Sequence, residues 1–227
     1  MSFIIRKGKI LALLIAFLVI NQLVPILAVW LLKNHYQTPF TSILLIGLEL
    51  LIIALFLYYA KVKQIIRWKA LLTRKALLTR KALVTILLGW LSLRVPQIIG
   101  YLIMTMQGVK DTANQTVIME LTKQLPLALM LIFAIIGAPI MEEIIFRYII
   151  PKELFAKHQK WGFVIGTLAF ALIHSPSDIG SFIIYAGMGA ILSFVYYKTE
   201  HLEYSIMIHF INNALAYSVL ISTMMNN

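Results

Sequence analysis

The chain has 227 residues, 61% of them hydrophobic and 13% charged, with 20 Lys and Arg against nine Asp and Glu and no cysteine. A water-soluble domain carries roughly twice that charged fraction, so a soluble enzyme is excluded, and disulfides and cysteine-ligated metals are excluded with it. The net charge of +11 does not point to a nucleic-acid partner, because the basic residues fall between apolar runs, where they act as topology signals and as anchors to anionic lipid.

Apolar runs near or above the ~20 residues needed to cross a bilayer recur throughout, so residues 1–227 read as a single membrane domain. The first run, 10–32, follows Arg6, Lys7 and Lys9; it exceeds the ~7–15 residues of a signal-peptide core and is expected to be a retained span. Further spans are expected at 40–60, 83–106, 125–150, 161–175, 181–197 and 204–224. The fold class is therefore an all-α polytopic membrane protein of about seven transmembrane helices. Segments 1–9, 61–82, 151–160 and 198–203 carry 15 Lys and Arg, whereas the alternating segments carry only Lys33, Lys110 and Lys123. That bias predicts a multi-pass cell-membrane protein with its N-terminus cytoplasmic and its C-terminus outside.

Residues 69–85, "KALLTRKALLTRKALVT", repeat with a period of six. Six helical residues advance ~600°, so Lys69, Lys75 and Lys81 face three directions and no amphipathic face results; the repeat reads as a tandem duplication in a tolerant cytoplasmic connection. Glu49 and Arg94 fall near the middle of their spans, where an isolated charge costs ~2.5–3.5 kcal/mol, and a structural Glu49–Arg94 pair is expected. Pro25, Pro96, Pro126 and Pro139 are expected to be tolerated kinks without functional weight.

The fourth span contains "APIMEEIIFRYII" (138–150). Glu143 and Arg147 are four apart and share a helix face, so the arginine neutralises that carboxylate. Glu142 points about 100° away with no local partner, which makes it a candidate general base. The fifth span ends "FALIH", with Phe170 and His174 four apart, and the seventh contains "HFINN", with His209 and Asn213 four apart. The other histidines, His35, His158 and His201, fall in expected loops. Counted from the cytoplasmic ends at ~1.5 Å per residue, Glu142 lies about 15 Å deep, His174 about 20 Å, His209 about 9 Å and Asn213 about 15 Å, a single band. Such a set suits activation of a water against an amide carbonyl: Glu142 takes the proton and His174 holds the water. His209 and Asn213 either stabilise the oxyanion or, with His174 and a carboxylate, bind a divalent metal. The spacing leaves both open, and the helical zinc motif H-E-x-x-H is absent.

"EEIIFR" (142–147), "FALIH" (170–174) and "HFINN" (209–213) match, in order, the motifs E-E-x-x-x-R, F-x-x-x-H and H-x-x-x-N of the CPBP or Abi family, which the chain resembles over residues 125–215. That family includes the type II CAAX prenyl proteases and bacterial bacteriocin-processing and self-immunity proteins. The resemblance implies a catalytic core formed by the C-terminal four helices. It carries over Glu142 and Glu143 as the catalytic acid pair, Arg147 as their support, and His174, His209 and Asn213 as the remaining site residues. Both a metalloprotease and a glutamate-driven, metal-free mechanism fit the family, so a divalent cofactor such as zinc stays open. The implied activity is an intramembrane endopeptidase acting on a membrane-associated peptide or protein, in peptide maturation or self-immunity, with the bond near the cytoplasmic half of the bilayer. The short, lysine-rich chain resembles the bacterial members. Two other classes compete: a non-catalytic immunity protein or scaffold, and an ion-coupled transporter, although no internal symmetry of the transporter kind is present.

Overall fold

The structure, a computed structural model, describes residues 3–66 and 79–226, and all regular structure among them is helical. Most of the six-residue repeat lies outside the described residues. Helices α1 (Phe3–Asn21) and α2 (Leu23–Lys33) form one span broken at Gln22. The break follows from Pro25, which has no N–H to donate to the carbonyl four residues back. Helix α3 (Pro39–Val62) is opened by a capping box, in which the Thr38 side chain accepts from the Thr41 backbone N–H and the Thr41 hydroxyl answers the Thr38 N–H. Helices α4 (Arg80–Ser92) and α5 (Arg94–Met106) form the next span, broken at Leu93 because Pro96 leaves the Ser92 carbonyl unserved.

A short helix, α6 (Ala113–Gln124), follows; its N-cap is the Thr112 side chain, which accepts from the Gln115 N–H. The expected spans treat this stretch as a connection, because its polar composition is too weak a signal for a membrane helix. The remaining helices are α7 (Leu127–Leu154), α8 (Gln159–Ile173), α9 (Ile179–Thr199) and α10 (Leu202–Asn226). Six of the helical segments are long and apolar enough to cross a membrane, and α8, with 15 residues, is a shorter apolar helix. The chain is a multi-pass membrane protein of the expected class, with bounds that differ from the sequence reading by a few residues.

Helix α7 is irregular. Its stretches 131–137 and 144–154 are wound more widely, with backbone bonds that skip five residues, as from the Ala138 N–H to the Phe133 carbonyl and from the Phe155 N–H to the Ile150 carbonyl. Glu142 and Glu143 sit on the ordinary turn between the two wide ones. Such widened turns recur at functional sites because they re-aim side chains that a regular helix would hold elsewhere.

Helix α8 packs on the second wide stretch through Gly162 and Gly166. A Cβ on Gly162 would meet Pro151, and one on Gly166 would fall on the Phe146 carbonyl oxygen. These glycines, Phe170 and His174 recur every fourth residue, so the face that allows the close approach is the face that carries the histidine.

The expected Glu49–Arg94 pair does not form. Helix α3 packs against α2 and α7, whereas α5 packs against α9, so the two charges face different neighbours. Glu49 is buried beside Gly137, and its Oε1 has no hydrogen-bond partner among the described residues. Arg94 turns to α10 and donates to the Asn212 side-chain oxygen.

Candidate active site

The three motif helices converge on one buried cluster. Glu142 and Glu143 are adjacent on α7 yet face different surroundings. Glu143 is fully buried, accepts from the Ser205 hydroxyl and from His209 Nδ1 at 3.0 Å, and lies 3.2 Å from Arg147 Nε. Arg147 is also fully buried, with its guanidinium 4.2 Å over the ring of Phe170. Among the described residues its N–H groups otherwise have no hydrogen-bond partners, so its charge is met by Glu143 and the aromatic face. The pairing inferred from the i, i+4 spacing is present. Glu143 and Arg147 stand behind the site rather than in it, for neither lines the cavity.

Glu142 lines that cavity, and its Oε2 has no hydrogen-bond partner among the described residues. His174 Nε2 lies 4.0 Å from this oxygen and His209 Nε2 lies 3.9 Å from it. The tautomers follow from the partners on the far side of each ring. His174 Nδ1 is 2.7 Å from the Phe170 carbonyl, and His209 Nδ1 is bonded to the Glu143 carboxylate; both are acceptors, so each Nδ1 carries the proton. Two imidazole lone pairs and one carboxylate oxygen therefore point at one spot, across spans that a single water bridges. Three ligands on one tetrahedral zinc would stand about 3.3 Å apart. The observed 3.9 and 4.0 Å are wider, and among the described residues no group of three or more His, Cys, Asp or Glu is set to hold a metal.

Asn213 completes the wall. Its Nδ2 donates to the Ala134 carbonyl at 3.0 Å. That carbonyl is free because the residue five positions on, in the wide stretch of α7, is Pro139, which has no N–H. Pro139 thus shapes the site, contrary to the expectation that the prolines carry no functional weight.

Several residues join the cluster without having been singled out by the sequence. Ser205 precedes His209 by four residues, a spacing that could have revealed it. Tyr185 could not be found locally: its ring stacks on His174 at 4.3 Å, and its hydroxyl bonds Thr112 Oγ1 at 2.8 Å, linking the site to α6. Gln97 reaches Asn212 from α5, beside Arg94, which the sequence singled out only as a partner for Glu49.

The cavity measures about 240 Å³ and runs from Glu142, His174, His209 and Asn213 toward α6, whose Asn114, Gln115 and Ile118 face it. It occupies the end of the bundle that holds α6 and the 174–178 turn, opposite the basic ends at Lys61, Arg80, Lys152 and Lys198. On this placement a cytoplasmic N-terminus goes with a bond in the outer half of the bilayer, and a bond in the cytoplasmic half goes with the inverted orientation. Depth along a single helix does not register which end of the bundle is hollow.

Residues 124–215, which hold all six motif residues, match the family model of the type II CAAX prenyl endopeptidase Rce1-like proteins. The chain is 28% identical over 207 residues to UPF0177 protein YvdC of Lactococcus lactis subsp. lactis, a match that covers 88% of this chain and 74% of that protein. It is 31% identical over 136 residues to the membrane-embedded CAAX protease MroQ of Staphylococcus aureus, covering 56% of this chain and 53% of that protein's length. No solved structure matches the chain. Over residues 124–215, the helices that bring the carboxylates, histidines and asparagine together are similar to those of the Rce1-like membrane endopeptidases.

Proposed function

We propose that the chain is an intramembrane endopeptidase that hydrolyses a peptide bond in a membrane-associated peptide or protein, with Glu142 as general base. The observation that carries this is the convergence of His174 Nε2 and His209 Nε2 on the unpartnered Glu142 Oε2 at the cavity wall. Water at that spot donates one hydrogen to Glu142 and another to an imidazole. Glu142 takes a proton as the water oxygen bonds the scissile carbonyl carbon, and the oxyanion receives the second N–H of Asn213. Collapse of the adduct breaks the C–N bond, and Glu142 returns its proton to the leaving amine. Glu143 accepts from His209 Nδ1–H and so holds that ring with Nε2 as the acceptor that orients the water. With a cytoplasmic N-terminus, the bond lies in the outer half of the membrane.

The test is Glu142→Gln, which keeps shape and removes the base. New peptide N-termini are mapped in membranes carrying the wild type or the variant, and a synthetic peptide spanning a dependent bond is then assayed in nanodiscs. Turnover should fall by about 10²–10⁴ at unchanged abundance. Full turnover by a well-expressed Glu142→Gln protein removes the protease and leaves a scaffold.

A further inference from the structure

An asparagine serves as an oxyanion donor only if its NH₂, not its oxygen, faces the reacting carbonyl, and the two ends have nearly the same shape. The contacts around Asn212 and Asn213 decide the direction here. Arg94 has no acceptor atom, so the Asn212 atom it meets is the side-chain oxygen, which also accepts from Gln97 Nε2 at 2.9 Å. Asn212 then turns its NH₂ the other way, to the side-chain oxygen of Asn213 at 3.4 Å and to Met188 Sδ at 3.8 Å. Asn213, its oxygen so occupied, offers its NH₂ to the Ala134 carbonyl at 3.0 Å, which favours the same direction, and its second N–H is left for the cavity. Gln97 cannot impose this order, because its own amide reverses at no cost in shape. Arg94 can from one end, as the Ala134 carbonyl, which can only accept, does from the other; among the described residues Arg94 pairs with no carboxylate, and Trp90 covers its guanidinium at 5.1 Å.

We propose that Arg94 and Asn212 are positioning residues, which set through a one-way relay of donors the end of the Asn213 carboxamide that meets the oxyanion. This rests on the endopeptidase reading and on Asn213 as its oxyanion donor. It also explains a cation at mid-span without a counter-charge: the arginine is kept for its inability to accept a hydrogen bond.

The experiment uses the full-length protein in nanodiscs and the peptide identified by N-terminus mapping, with Arg94→Met, Arg94→Lys and Asn212→Asp. Removing an oxyanion donor outright lowers kcat by about 10²–10³, so leaving the Asn213 amide held by the Ala134 carbonyl alone should lower kcat in Arg94→Met by a smaller factor, roughly 10-fold, with KM within about twofold. Arg94→Lys, still only a donor, should recover kcat to within about threefold of wild type. Asn212→Asp keeps the partner of Arg94 but has no N–H for Asn213, so its kcat should fall at least as far as that of Arg94→Met at wild-type abundance. A merely structural role would instead lower abundance or raise KM, and lysine would not restore kcat selectively. Asn212→Asp with kcat within about twofold of wild type overturns the relay, whatever happens to the folding of Arg94→Met. Absence of turnover by the wild type overturns the endopeptidase reading and the relay with it.

Discussion

Glu143 and Glu142 differ by one position, and the surroundings of each predict opposite consequences for the same substitution. Glu143 and Arg147 are both fully buried, with 3.2 Å between Nε and Oε2. Glu143→Gln leaves Arg147 an uncompensated charge in an apolar interior, and breaking a buried pair from one side costs about 3–5 kcal/mol. For a chain of this size each kcal/mol moves Tm by about 2–4 °C, so melting should fall by about 6–20 °C. Glu142 lines the cavity and bonds to no described residue, so Glu142→Gln should shift melting by only a few °C, about 1 kcal/mol or less. Intrinsic fluorescence of the four tryptophans during heating in nanodiscs reads both values. The double variant Glu143→Gln/Arg147→Met removes both charges and should recover at least half of the loss, although turnover stays low because His209 has exchanged a carboxylate acceptor for a weaker, neutral amide oxygen. Equal melting of the Glu143→Gln and wild-type proteins would refute the claim that Arg147 depends on this carboxylate.

The charge bias predicts that a reporter fused after Asn227 lies outside the cytoplasm and one inserted at Thr79 lies inside; opposite labelling would put the cavity in the cytoplasmic half. Gly166→Ala places a methyl group on the Phe146 carbonyl oxygen, so α8 has to move away from α7. Overpacking of this kind costs about 1–3 kcal/mol. The shift carries His174 from Glu142, so turnover should drop more than melting does, and unchanged turnover would show that α8 is free to slide.

The membrane class was legible because apolar length is a property of short windows, and lipid asks little else of a span. The Glu143–Arg147 contact was legible for a similar reason: four residues on a helix are neighbours whatever the fold. The Glu49–Arg94 pair failed because similar depth in two helices does not make them adjacent, and here α3 and α5 pack on different partners. Helix α6 was missed because it is neither apolar enough for a span nor strongly patterned, yet it forms one wall of the cavity.

By itself, then, the sequence determined the kind of elements, the contacts within single helices and the residue types available for chemistry, all of which depend on neighbours close along the chain. Tertiary structure decided that Glu143 supports and Glu142 faces the cavity, that both histidines present Nε2 to one oxygen, and that Pro139 frees the Ala134 carbonyl for Asn213. These depend on which atom of a distant helix lies across the gap. Hydrogen-bond direction adds a further non-local constraint, since the end of an amide that faces the cavity is set by a donor, Arg94, that lies 118 positions from the Asn212 it contacts.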